Sequence, residues 1–238
     1  MKPLCVYIAP QPSTHDAAII RFQTSYIRKN AGIDHDLLVI CKGDREWTGP
    51  GDVTRISDEG YDLGPFLQVC RAHADREVVM LLSTTAAFTR SDWLVPYMWA
   101  FKDEAVAAVS ATGSWERNHS SHDFNPHLRT SNFAVRPGVI NALNLPAPMS
   151  KLDCWLIEHG DEGITRQLID LGHAVTVVGF DGHEYDIPDW ETADTFRTPT
   201  QSNLLISDNQ TDMYANASAN DRAVLADLAW NLPRASQR

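Results

Sequence analysis

A chain of 238 residues, 43% of them hydrophobic, can bury a full core and is most economically one large domain or a domain with an elaborated tail. Its formal net charge of -11, with Lys and Arg scattered singly among more numerous acids, leaves no basic face for duplex nucleic acid or an anionic membrane, although a local basic pocket for a diphosphate is compatible with it. No apolar stretch approaches the ~20 residues that span a bilayer, and Pro10 and Pro12 interrupt the apolar start with no small-residue cleavage site after it, so the expectation is a cytoplasmic protein without a signal peptide.

Leu4–Ala9 reads as a buried strand, residues 14–30 as a helix with Ile19, Phe22, Tyr26 and Ile27 on one face, and residues 37–41 as the next strand. This βαβ opening predicts a parallel pairing with a right-handed crossover. Residues 53–56 form a short third strand, 65–73 a helix, and 78–82 a fourth strand whose unbroken apolar character predicts a central position covered on both faces. A helix is expected from the residues after Thr85 through Trp93 to Phe101, then a strand over 105–110. A polar stretch, 113–126, carries Trp115, His119 and His122 without periodicity, and a loop of that length is usually functional or mobile.

A short strand over 132–136 and a helical turn over 139–143 lead into a helical region over 150–171, interrupted near Gly160. Ser150 is its expected cap, Leu152, Trp155 and Leu156 make one apolar stripe, Ile164, Leu168 and Leu171 another, and Gly172 closes it. Ala174–Val178 is the last predicted strand. The remaining residues show little regular pattern until a helix over 221–231, and are expected to wrap on the domain as an arm. Cys5, Cys41, Cys70 and Cys154 are widely spaced in apolar contexts, as reduced core cysteines would be, and offer no zinc-ligand spacing.

No glycine-rich phosphate loop, no Gly-x-Gly-x-x-Gly after the first strand and no Gly-x-Ser-x-Gly elbow is present, which disfavours nucleotide hydrolysis, dinucleotide redox chemistry and the α/β-hydrolases. Polar clusters instead follow the strands: residues 10–14, 58–64, 83–85 and 127–132, with Asp161 and Glu162 at the helix interruption. In an open parallel sheet such clusters meet at the carboxyl edge, where ligands bind.

Tyr61-Asp62-Leu63-Gly64-Pro65-Phe66, then Val79-Met80-Leu81-Leu82-Ser83-Thr84-Thr85, Trp93, and His127-Leu128-Arg129-Thr130-Ser131-Asn132-Phe133 resemble the ordered landmarks of GT-A-type glycosyltransferases, nearest to the rhamnan-synthesis and capsule-associated branch. The resemblance spans roughly residues 1–180. It implies an α/β fold of GT-A type, a mixed Rossmann-like sheet flanked by helices, over residues 1–182, with the C-terminal arm, 183–238, packed on the same domain.

The resemblance also implies a nucleoside diphosphate sugar donor (UDP-, GDP- or dTDP-sugar) and a hydroxyl-bearing acceptor. It places Ala9, Pro10, Asp58, Tyr61, Asp62, Gly64, Ser83, Thr84, Thr85, His127 and Arg129 around the donor, with Arg129 as the candidate phosphate-gripping cation. Ser83-Thr84-Thr85 stands where the family carries its Asp-x-Asp metal motif. Hydroxyls alone are poor ligands for Mg²⁺ or Mn²⁺, so no metal ligands are assigned. A general base for the acceptor hydroxyl is expected at Asp161, with Glu162 and Glu158 left open beside it, and Trp115 is the candidate stacking platform for a sugar ring.

Overall fold

The most apolar segments of the first half become neighbours in one sheet. In the computed structural model, which describes residues 2–11, 13–57, 60–117 and 124–230, the chain opens with Leu4–Ala9 (β1), Asp16–Arg28 (α1), Asp36–Lys42 (β2), Asp52–Ile56 (β3), Leu63–Ala72 (α2) and Val79–Leu82 (β4). Every residue of β1 and β4 is buried, as a strand covered on both faces must be. β1 runs parallel to β2 on one side and to β4 on the other, and β3 adds in parallel outside β2.

The middle of the chain supplies Ala87–Phe88 (β5), Val95–Ala100 (α3), Val106–Ser110 (β6), Gly113–Ser114 (β7), His127–Leu128 (β8), Asn132–Val135 (β9) and Pro137–Ile140 (α4). It is followed by Lys151–His159 (α5), Ile164–Asp170 (α6), Ala174–Val178 (β10), Glu184–Tyr185 (β11), Ile206–Ser207 (β12), Asn209–Asn216 (α7) and Ala219–Trp230 (α8). The main sheet has eight strands in the order β11-β10-β6-β9-β4-β1-β2-β3. β9 is antiparallel to both β4 and β6, and β10 is parallel to β6, so the sheet is mixed, with helices on its faces.

Alternation sorts the core into two layers. Cys5 and Tyr7 of β1 pack with Phe22 of α1 and Tyr97 of α3, while Val6 and Ile8 pack with Phe66 of α2, Ile157 of α5 and Leu168 of α6. After β1 the chain moves through α1 to β2 and β3, then returns through α2 to β4 on the other side of β1. The strand order therefore reverses between β1 and β4, and a crevice opens at their carboxyl ends.

Four local expectations are corrected. The helix expected after Thr85 is confined to α3, because Ala87 and Phe88 pair with Ser207 and Ile206 far along the chain and Phe88 stacks on Trp93 at 4.1 Å between ring centroids. Of the α1 stripe, Ile19 and Phe22 are buried but Ile27 is exposed. In α5, Leu152 and Leu156 face outward and Ile157 is the residue that enters the core; Leu171 is exposed while Ile164 and Leu168 are buried. The segment beyond 183 is more regular than its sequence suggests: α7 precedes α8, and α8 begins at Ala219, Asn231 lying outside the described residues.

Trp190, Phe196 and Trp230 belong to the core layer around α2 and α5. Trp190 lies so close on Gly113 that a Cβ there would stand 2.4 Å from the indole. Cys5, Cys41 and Cys70 are buried, Cys154 is half-buried, and none is paired in a disulfide.

The break between α5 and α6 is built with equal specificity. Ser150 caps α5 in a reciprocal box with Asp153, and Gly160 ends it where a Cβ would stand 2.3 Å from the Leu156 carbonyl oxygen. Gly160→Ala is expected to force the last turn of α5 to shift and to cost about 1–3 kcal/mol, the usual range for overpacking. Chemical denaturation measures it, and an unchanged midpoint would show that the turn yields freely.

Candidate active site

A cavity of about 800 Å³ opens at the switch point between β1 and β4. The loop leaving β1 forms one wall and is clasped by Arg45, whose Nε donates to the Pro10 carbonyl at 2.8 Å, Nη2 to the Gln11 carbonyl at 3.0 Å, and Nη1 to Asp16 at 2.6 Å. On the opposite wall, Thr84 Oγ1 donates to the Ile8 carbonyl at 3.0 Å and the buried Tyr7 hydroxyl donates to the Thr84 carbonyl at 2.9 Å, which locks the end of β4 to β1. Thr85 Oγ1 accepts the Asn209 N–H at 3.0 Å and so ties the same edge to the start of α7. Ser83 Oγ, buried in the cavity wall, has no hydrogen-bond partner among the described residues.

Among the described residues that line this cavity, Lys42 is the one Lys or Arg side chain. It is the last residue of β2, is 4% exposed, and donates from Nζ to the Tyr61 carbonyl at 3.1 Å. His15 and Asp62 line the same space. Pro10, Tyr61, Asp62, Ser83, Thr84 and Thr85, all expected near a donor, meet here. Ala9 is buried at the end of β1 behind them. Gly64 borders a separate space of about 150 Å³ beneath Pro148, and Asp58 lies outside the described residues.

A second cavity, of about 360 Å³, adjoins the first, since Thr130, Ser131 and Asn209 line both. Arg129 is found here rather than in the first cavity. It is buried: Nη1 pairs with the buried Asp208 at 2.8 Å, Nη2 donates to Ser131 Oγ at 3.2 Å, and the guanidinium lies 4.3 Å from the Phe196 ring centroid. Burial alone pushes the Asp208 carboxyl up, but the Arg129 charge and the Thr211 N–H outweigh it and hold the group below the usual carboxylate value.

Three of the residues singled out from sequence are carboxylates for a base, and they part company. Glu158, at the end of α5, lines the second cavity and accepts the Thr130 N–H at 2.6 Å as well as the Thr130 hydroxyl. Asp161 is half-buried and Glu162 exposed in the turn between α5 and α6, and neither lines either cavity. His127 is 1% exposed, hydrogen-bonded through Nδ1 to the Asn125 carbonyl at 3.0 Å, with Nε2 buried and without a hydrogen-bond partner among the described residues. Its burial, reinforced by the neighbouring His159, lowers its pKa well below 6.5, so the imidazole is neutral at pH 7. Trp115 is not a platform: it is buried edge-on against Trp230, with 5.2 Å between centroids. His119 and His122 lie outside the described residues.

Sequence reading missed Lys42, His159 and Asn209. A signal existed for Lys42, which sits one residue past the expected strand end and hence on the carboxyl edge. None existed for Asn209, whose place depends on the turn into α7. The triplet does not fit a divalent cation: it offers no carboxylate, and two of its three hydroxyls are committed to Ile8 and Asn209.

No protein-family model matches the sequence, and no curated protein matches it. Among solved structures the chain is similar to the mannosyltransferase PcManGT from Pyrobaculum calidifontis in complex with GDP-Man and Mn²⁺, at 12% identity and a TM-score of 0.48, covering 72% of this chain and 53% of that one. It is also similar to GalNAc-T7 with UDP, GalNAc and Mn²⁺, at 12% identity and a TM-score of 0.49, covering 94% of this chain and 51% of that one. Mouse xyloside xylosyltransferase 1 gives 7% identity and a TM-score of 0.48, with 75% and 85% covered. The chain spans about half the length of the first two. The chain has an α/β fold with a mixed sheet flanked by helices, and a two-chambered cleft at its switch point.

Proposed function

We propose that the cleft transfers a sugar from a nucleoside diphosphate sugar to a hydroxyl acceptor, without a metal ion at the Ser83 triplet. The observation that carries this is the pairing of a roomy cavity containing a buried cation, Lys42, with an adjoining cavity that presents the carboxylate of Glu158. The ordered motifs that resemble GT-A-type glycosyltransferases support the same reading, and their likeness to the rhamnan-synthesis and capsule-associated branch points to bacterial or phage glycan synthesis.

In this mechanism the donor lies in the larger cavity, with its diphosphate toward Lys42 and the Ser83 hydroxyl, and the acceptor enters the smaller one. The acceptor oxygen forms its bond to the anomeric carbon as the bond to the phosphate oxygen breaks. The proton passes to Glu158, and the electron pair leaves with the nucleoside diphosphate, whose growing charge faces Lys42. A displacement of this kind inverts the anomeric centre. Among the described residues no helix is long and apolar enough to cross a membrane.

A thermal-shift screen against UDP-, GDP- and dTDP-sugars, each with and without Mn²⁺, tests donor binding: stabilisation that is independent of Mn²⁺ is expected. Glu158→Gln is expected to lower transfer about 10²- to 10⁴-fold, the range for loss of a general base, while donor-induced stabilisation persists. Turnover retained in that variant would remove Glu158 from the mechanism.

A further inference from the structure

The smaller cavity holds a cluster that the transfer mechanism does not use as a unit. One ligand-capable atom each from His127, Glu158 and His159 lies within 4.8 Å of the others. We propose that these three residues form a binding site for a divalent transition ion of the zinc class.

The chemistry of the donor set selects that class. Two imidazoles and one carboxylate suit Zn²⁺ and its borderline neighbours, whereas Mg²⁺ and Ca²⁺ prefer oxygen alone. Three protein ligands facing an open cavity leave a fourth position for water or another oxygen, the pattern of exchangeable zinc sites.

His127 provides the independent observation. A carbonyl only accepts, so a bond of ordinary N–H···O length, about 2.7–3.2 Å, between Nδ1 and a backbone oxygen places the ring proton on Nδ1. In His127 that bond, to the Asn125 carbonyl, is 3.0 Å long, and it leaves the Nε2 lone pair buried and, among the described residues, without a partner. A nearly inaccessible acceptor with nothing to accept is costly unless something fills the place.

The surrounding shell is organised as metal sites require. Asn125 orients His127 through its carbonyl, and its side-chain amide donates to the His159 carbonyl at 2.9 Å. Thr130 holds one oxygen of Glu158 through its N–H and hydroxyl, and the other lies 3.4 Å from His159 Nδ1. Tetrahedral ligands about 2.0–2.1 Å from zinc are about 3.4 Å apart, so the wider separations in the cluster close by small side-chain rotations.

Occupancy has a consequence that rests on the proposed transfer reading: a carboxylate bound to an ion is not available as a base. Zinc at this site is then inhibitory.

Equilibrium dialysis of the metal-free protein against Zn²⁺ tests the site directly, with Co²⁺ as a spectroscopic probe. One equivalent of bound zinc is expected, with the visible bands of low-symmetry Co²⁺, and both are expected to weaken at least 10-fold in His159→Ala and in His127→Ala. Should His127→Ala fail to fold, His159→Ala and Glu158→Gln suffice. Absence of stoichiometric binding, or binding that survives in folded His159→Ala and Glu158→Gln, overturns the site. If zinc binds as expected and the metal-free protein transfers no sugar from any donor, the transferase reading fails while the site stands. Activation of transfer by zinc overturns the inhibitory role.

Discussion

Replacing Lys42 by methionine is expected to weaken binding of nucleoside diphosphates about 10- to 100-fold, the loss of one hydrogen bond to a charged group of about 1.5–3 kcal/mol. Methionine keeps the length of the aliphatic stem, so the end of β2 stays packed while the charge disappears. The effect is larger than for a surface lysine because Lys42 is 4% exposed and its field is poorly screened by solvent. Isothermal titration with UDP, GDP and dTDP reads the loss, and the melting temperature of the unliganded variant controls for folding. Undiminished affinity would place the diphosphate elsewhere in the cleft and shift attention to His15, on the same cavity wall.

Asp208→Ala is expected to produce the largest loss of stability, about 3–5 kcal/mol, because it strands the buried Arg129 guanidinium without its partner. Asp208 also accepts the Gln210 and Thr211 N–H groups, each at 2.9 Å, as the cap of α7. Asp208→Asn separates the two roles: it retains an oxygen for the cap and loses the charge, so the part of the deficit it reproduces belongs to the ion pair. Urea denaturation measures both variants. A loss below about 1 kcal/mol in Asp208→Ala would mean that water reaches Arg129 and replaces the carboxylate.

The pH dependence of this contribution has a definite sign. The folded-state carboxyl titrates below its unfolded value of 3.8, since Arg129 and the cap N–H groups outweigh burial. Its stabilisation is therefore complete above that value and is lost as pH falls through the lower, folded one. Wild-type protein is expected to lose stability on acidification below about pH 4, and this limb should be shallower in Asp208→Asn.

These two predictions concern residues that differ in how legible they were. Lys42 follows an apolar strand, and a cation at the carboxyl edge of a parallel strand is a recognisable candidate for phosphate. Asp208 follows Ile206 and Ser207, and a single acid before Asn209-Gln210-Thr211 looks like an ordinary helix cap. That it is also fully buried against Arg129 follows only from the docking of the C-terminal segment, in which β12 pairs with β5 and carries Asp208 to Arg129. Thr84 shows the opposite case: it lines the cavity where it was expected, and what only the structure shows is that its hydroxyl goes to the Ile8 carbonyl and its own carbonyl to Tyr7, so that it braces the cleft.

Of the three acids near the helix interruption, the sequence favoured Asp161 as the base and left Glu162 and Glu158 open beside it. Rotation about α5 and the bend at Gly160 bring Glu158 to the cavity and leave the others in the turn, a difference of a fraction of a helical turn that spacing does not resolve.

The apolar runs at 4–9 and 79–82, the helical periodicity between them, and the glycine at 160 were sufficient to specify an α/β sheet with parallel central strands and the edge at which its polar loops gather, because burial on both faces and helix termination are local demands on residue type; the antiparallel β9 that makes the sheet mixed was decided by the tertiary structure. Tertiary packing alone placed His127 beside Glu158 and His159, set Arg129 on Asp208, and turned Trp115 inward against Trp230. Each of those pairings joins residues far apart in the chain, and a side chain's partner at that distance is decided by which elements dock, an outcome that no local pattern of residues records.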